Sequence, residues 1–263
     1  MKKRMISAVI MVLIVLPVLI LGGITYSLMV GLIGLIAYKE ILDLRKKDKD
    51  YPNVVKLIGL LSVLYLIYCN YEKYGLLFGV SYKILCGIIL AICLPTIFCN
   101  DRYKISDAFN LLAKVLFLGL GFNLIISVYN YGIKYFVLLI LITVLTDTFA
   151  LFGGSLIGKH NFTKISPNKT IEGCIVGSLV STFVCTVYYI NIISSSVSLF
   201  KIILIILSLS IIGQCGDLFF SAIKREYDKK DFSNLIPGHG GILDRLDSII
   251  FVLFAFIIII SYI

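Results

Sequence analysis

The chain has 263 residues, of which 59% are hydrophobic and only 15% charged, and its mean hydropathy is +1.02. A water-soluble domain carries about 25% charged residues, whereas the apolar blocks here reach the roughly 20 residues with which a helix crosses a bilayer. A soluble globular fold is excluded, and the net charge of +9 reads first as a topology signal and not as a nucleic-acid surface.

Nine spans are predicted in chain order, near residues 5–22, 24–41, 54–71, 80–99, 108–128, 133–152, 171–193, 199–222 and 243–262. The fold class is therefore all-α: a polytopic integral membrane protein with about nine transmembrane helices, read as one domain over residues 1–263. The first stretch, "MKKRMISAVIMVLIVLPVLILGG", has a basic start and a long apolar run. It shows no small-residue cleavage site, so an uncleaved first helix is expected. No internal repeat or low-complexity linker interrupts the series.

The basic residues divide unequally between the two sides that these spans create. The N-terminal side receives Lys2, Lys3 and Arg4, then Lys39, Arg45, Lys46, Lys47, Lys49 and Lys56, then Arg102, Lys104 and Lys114. Further along it receives Lys159, Lys164 and Lys169, and finally Lys224, Arg225, Lys229, Lys230 and Arg245. Only Lys73, Lys83, Lys134 and Lys201 of the 24 basic residues fall on the other side. The positive-inside rule makes the crowded side cytoplasmic, and an odd number of spans puts the C-terminus outside.

Seven cysteines (Cys69, Cys86, Cys93, Cys99, Cys174, Cys185 and Cys215) lie in or beside apolar blocks without a CxxC pair. They read as small buried hydrophobes. With only His160 and His239 present, a histidine-based transition-metal site is not expected.

Two carboxylates stand where lipid-facing sequence would be apolar. Asp147 interrupts "YFVLLILITVLTDTFALF" and Asp217 interrupts "LIILSLSIIGQCGDLFFSAI". An aspartate at a helix centre costs about 2.5–3.5 kcal/mol on insertion scales, so such a residue is functional by default; the alternative is a structural partner for a nearby lysine. Asp217, Ser221 and Lys224 share one helical stripe, and Asp244 and Asp247 stand three apart at the start of the last span. Carboxylates so placed suit a hard divalent ion, although Asp244 alone could equally serve the helix macrodipole. Gly240 and Gly241, with Gly238, allow a tight loop whose amides could meet an anion. Lys224, Arg225 and Arg245 would neutralise the remaining phosphate charge.

A second polar island, "FGGSLIGKHNFTKISPNKTIEG", lies on the same side. "GGSLIGKH" approaches the phosphate-loop pattern, but that pattern needs a preceding strand and here a membrane span precedes it. In "SPNKT" either Ser166 or Thr170 could cap the next span.

Together these residues resemble the phosphatidate cytidylyltransferase, or CDP-diacylglycerol synthase, family. Its C-terminal pattern S-x-x-K-R-x(4)-K-D followed by P-x-H-G-G-x-x-D-R-x-D is met by Ser221, Lys224, Arg225, Lys230, Asp231, Pro237, His239, Gly240, Gly241, Asp244, Arg245 and Asp247. Upstream, Asp147, Ala150, Gly153, Gly158, Lys159 and "SPNKT", in which the family leaves the place of Asn168 variable, are similar to a second family stretch. The resemblance is carried by residues 147–248. It implies transfer of CMP from CTP to phosphatidate, a need for magnesium, and a homodimer integral to the membrane; no nucleic-acid partner is expected. High isoleucine, lysine and asparagine usage points to an AT-rich bacterial genome, so a bacterial cell (inner) membrane is expected, with the active site on the lysine- and arginine-rich cytoplasmic side.

In that reading Asp217, Asp244 and Asp247 are the metal ligands and, with Lys224, Arg225 and His239, the catalytic set. Lys159, Ser166, Lys169, Thr170, Ser221, Gly240, Gly241 and Arg245 are the substrate-binding set. His239 either donates to a phosphate oxygen or holds the loop. Two rival readings are a CTP-dependent lipid kinase and an ion or phosphate transporter. The second is disfavoured because both polar islands fall in the second half and on one side, not in two corresponding halves.

Overall fold

The computed structural model describes residues 2–44, 50–69, 82–98, 102–163, 165–167, 169–194 and 197–260, with the backbone alone at positions 2–6, 8 and 12. Arg45, Lys46, Lys47, Lys49, Lys73, Cys99, Lys164 and Asn168 lie outside the described residues, as do the side chains of Lys2, Lys3 and Arg4. The helices in order are α1 (Lys2–Leu21), α2 (Gly23–Asp43), α3 (Asn53–Tyr68), α4 (Tyr82–Cys93) and α5 (Pro95–Phe98). They continue with α6 (Ile105–Tyr131), α7 (Ile133–Ile157), α8 (Ile171–Tyr188, prolonged by a π turn Tyr189–Ile193), α9 (Leu199–Glu226) and α10 (Leu243–Ile259).

The chain is a polytopic all-α membrane protein. Among the described residues five helices, α2, α6, α7, α8 with its π turn, and α9, are long and apolar enough to cross a membrane. Val9–Leu21 and Asn53–Tyr68 are shorter apolar helices, Tyr82–Phe98 is a shorter apolar stretch made of α4 and α5, and α10 has 17 residues. The expected fourth span near 80–99 is broken: α4 stops at Cys93 and a separate short helix begins at Pro95. Proline lacks the N–H that the ladder requires and restricts the residue before it. At the other extreme, α9 runs past the expected end at 222 and keeps Lys224 and Arg225 in its last turn.

The contacts group into two compact units, one of residues 1–127 with 231–245 and one of residues 128–230 with 246–263. In the first, Tyr26, Tyr38, Leu66, Ile67 and Phe122 are almost wholly buried. The Asn123 amide donates to the carbonyls of Leu66 and Ile67, each at 3.0 Å. Those carbonyls belong to the last turn of α3, where intrahelical donors run out. Tyr68 donates to the Ser27 carbonyl at 3.0 Å and Tyr38 to that of Lys56 at 3.2 Å, tying α2 to α3.

In the second unit α7 and α8 approach closely. A Cβ at Gly177 would lie 2.5 Å from the Thr146 carbonyl, and one at Gly173 would lie 2.5 Å from that of Ala150. Small residues are what let helix backbones meet in a bilayer, where no hydrophobic force drives them together. A buried polar ladder joins α7, α8 and α9: Thr146 and Ser210 hydroxyls are 2.7 Å apart, Ser210 donates to Ser178 at 3.1 Å, and Gln214 donates to Ser178 at 2.7 Å. Each such bond contributes about 0.6 kcal/mol, and the ladder fixes the register of α9 one turn before Asp217.

Candidate active site

The first unit contains the glycine loop. Ile236 and Gly240 form an isolated antiparallel bridge, with the Ile236 amide donating to Gly240 O at 2.8 Å. Closing so short a turn takes left-handed backbone at Gly238 (φ 78°) and Gly240 (φ 83°), which glycine adopts without a Cβ penalty. The amides of His239 and Gly240 both turn back to the Ile236 carbonyl, at 2.9 and 3.1 Å. The next amide, of Gly241, donates to Asp244 Oδ2 at 2.8 Å, and that oxygen also receives the Phe232 amide at 2.9 Å. The loop was expected to turn these amides toward an anion; here they are spent on the protein's own acceptors.

Asp244 is buried, at 8% exposure. Arg245 is exposed, and its Nε and Nη2 donate to the His239 carbonyl at 3.0 and 2.7 Å. The His239 ring is turned the other way: its Nδ1 lies 2.7 Å from Ser7 Oγ, which donates to Pro237 O at 3.1 Å. His239 thus holds the loop in place through both ring and carbonyl.

The first amides of a helix have no intrahelical acceptors. At the start of α10 the amide of Leu243 and that of Ile242 just before it are taken by Glu40 of α2, at 3.0 and 2.9 Å, and Ser233 Oγ donates to the same carboxylate at 2.6 Å. Sequence reasoning missed Glu40. Its signal was an acid inside the predicted span 24–41, overlooked because it falls near that span's end.

The second unit contains the other island. After α7 the chain doubles back through an Asn161–Thr170 bridge, with the Phe162 amide donating to Lys169 O at 2.7 Å and the Ile171 amide to His160 O at 3.0 Å. Thr170, not Ser166, caps α8, its hydroxyl accepting from the Gly173 amide at 3.2 Å. Ser166 shapes the loop instead: its amide donates to Thr163 Oγ1 at 3.3 Å and its carbonyl accepts from Lys169 at 3.1 Å. Glu172, also unforeseen, gathers the amides of Lys159 and His160 at 3.1 and 3.3 Å and the His160 ring at 2.5 Å. That presents Lys159 exposed at the tip.

Lys169 is ion-paired with Asp217, and both are half-buried. Asp217 follows Gly216, where a Cβ would be 2.7 Å from Phe251 Cβ and 2.9 Å from the Asp247 carbonyl. That approach brings α9 against the part of α10 that carries Asp247. The charged groups bearing on Asp247 are Asp217, Lys224 and Asp147. Its Oδ1 accepts the Ser248 amide at 2.9 Å, and Ser248 Oγ lies 3.5 Å from Asp147 Oδ2. Lys224 is buried on α9, Ser221 is half-buried one turn earlier, and Arg225 is exposed with its Nη1 on Lys229 O at 2.9 Å.

This face offers hard oxygen donors beside cations, the chemistry that suits a divalent ion bridging phosphates. Among the described residues no three His, Cys, Asp or Glu side chains group so as to hold a metal alone. One or two carboxylates completed by substrate phosphates is how magnesium is commonly bound, so the donor set fits that ion.

The model of the cytidylyltransferase family matches residues 2–263. A phosphatidate cytidylyltransferase of Staphylococcus haemolyticus is 36% identical over 259 residues, covering 96% of each chain. Proteins of the same name from Staphylococcus saprophyticus and Staphylococcus aureus strain COL are 33% and 32% identical over 255 residues, again covering 96% of each chain.

Proposed function

Because this chain belongs to the cytidylyltransferase family, we infer that it is a phosphatidate cytidylyltransferase, an integral membrane nucleotidyltransferase of phospholipid biosynthesis. A phosphate oxygen of phosphatidate attacks the α-phosphorus of CTP, and the bond from that phosphorus to the β-phosphate oxygen breaks. CDP-diacylglycerol forms, and pyrophosphate leaves with the electron pair. The observation that carries the reading is the ion pair of Lys169 with Asp217, each about a quarter exposed (21% and 24%), on the two stretches that bear the family's motifs. Both reactants are polyanions, so the work is charge neutralisation and in-line positioning.

Magnesium, when bound, would supply positive charge that neutralises the CTP phosphates. Asp217 and Asp247 are its proposed ligands in the second unit, and Asp244 keeps the ligand role that its motif implies. Lys159 and Lys169 orient the CTP phosphates, with Ser166 and Thr170 shaping the loop that presents them. Lys224 and Arg225, with Ser221 beside them on α9, and Arg245 hold phosphatidate or departing pyrophosphate. His239, Gly240 and Gly241 keep the loop that carries Arg245 in shape. The charge distribution supports a site facing the cytoplasm, the bacterial relatives support a bacterial cell (inner) membrane location, and the working form is proposed to be a homodimer of 29.3 kDa chains.

Following one phosphorus atom tests the reaction. Label from the α-phosphate of CTP should enter a lipid that also carries cytidine, require phosphatidate, and stop when magnesium is chelated. Lipid labelled from the γ-phosphate with diacylglycerol as acceptor would replace this reading with a lipid kinase.

A further inference from the structure

Glu40 belongs to none of the motifs, yet it is the acceptor on which the start of α10 rests. It is 4% exposed, and a buried carboxylate is tolerated only when hydrogen bonds replace its lost water. Three donors do so: Ser233 Oγ and the amides of Ile242 and Leu243. All three lie more than 190 residues away in sequence, and all lie in the segment that carries His239, Asp244 and Arg245. The fit extends to Gly241, where a Cβ would stand 2.6 Å from Glu40 Oε1 and 2.8 Å from Oε2.

We propose that Glu40 is a positioning residue for the reaction: its carboxylate on α2 clamps the 233–243 segment and so sets where Arg245 meets the phosphatidate phosphate. The two carboxylates divide the work. Asp244 takes the amides of Phe232 and Gly241, Glu40 takes those of Ile242 and Leu243, and between them three successive amides at the α10 start are satisfied. Two acceptor oxygens are needed at position 40, because the Ile242 amide meets Oε1 and the Leu243 amide meets Oε2. Glutamine keeps the length but turns an N–H₂ donor toward one of the converging donors. Gly241 is glycine for a reason separate from φ, since its backbone is not left-handed: it leaves room for the clamp.

The kinetic half of the test rests on the cytidylyltransferase reading; the other half rests on geometry alone. Amide hydrogen exchange of the purified full chain in detergent should show peptides spanning 233–245 exchanging at least about tenfold faster in Glu40→Gln, with peptides of α3 and α6 unchanged. Gly241→Ala, which displaces the carboxylate tip without removing its charge, should give the same local signature. In assays with CTP and phosphatidate, Glu40→Gln should raise KM for phosphatidate at least about fivefold, and by more than it raises KM for CTP. A smaller folded fraction would lower kcat and move neither KM. Unchanged exchange at 233–245, or acceleration spread over the whole chain, would overturn the proposal. So would an unchanged phosphatidate KM in an active enzyme. A wild-type protein inactive with CTP and phosphatidate would instead remove the enzymatic reading and leave the exchange result to decide the clamp.

Discussion

Lys169 pairs with Asp217 across 48 positions of sequence, joining the loop before α8 to the interior of α9. The pair explains how an aspartate persists within an apolar helix: its charge is compensated, and the ladder through Ser210 and Gln214 holds the helix in register beside it. It also sets a cation and a carboxylate side by side, the pair proposed above to meet a CTP phosphate and magnesium.

Asp217→Asn should cut turnover by at least about 100-fold if Asp217 is the magnesium ligand proposed above, because it removes the charge while preserving shape. Lys169→Gln should chiefly raise KM for CTP, by about tenfold. Each single change strands a half-buried charge or its partner, so the double variant should be more stable than the sum of the singles predicts, by about 0.5–3 kcal/mol, and should stay inactive. Strict additivity in thermal unfolding would mean that the pair contributes nothing to the fold.

Asp244 separates by substitution into an architectural and an electrostatic part. Asparagine can keep an oxygen for the Phe232 and Gly241 amides, so Asp244→Asn should stay folded and lose nearly all activity. Alanine should in addition lose about 1–3 kcal/mol for each buried amide left without an acceptor. Near-normal turnover of Asp244→Asn at ordinary magnesium would remove this residue from the metal assignment.

Thr170→Ala should destabilise the protein by about 1 kcal/mol through the lost cap, and Thr170→Ser should restore most of it. If both variants bind CTP normally, the hydroxyl serves the helix start alone. A higher KM for CTP in alanine but not serine would add a substrate contact.

Topology is open to chemical labelling. In a background lacking the seven native cysteines, Asn234→Cys, at an exposed loop position, should react with an impermeant maleimide only from the cytoplasmic face. Reaction only from outside would invert the arrangement inferred from the lysine and arginine split.

The membrane class, the helical spans and the motif residues were legible in the sequence because each is local: hydropathy over about 20 residues, charge beside span ends, and side-chain types at fixed short spacing. Even there, the proline break at Cys93–Pro95 was passed over, since hydropathy does not register a missing N–H. The partners of the site residues were not legible. That Glu40 accepts from Ile242 and Leu243, that Ser7 meets His239, and that Thr170 and not Ser166 caps α8 are decided by where helices distant in sequence come to lie. Composition does not encode those distances. Hydrogen bonds form only within about 3 Å and over a narrow range of angles, so which buried carboxylate meets which orphaned amide is settled by tertiary packing alone.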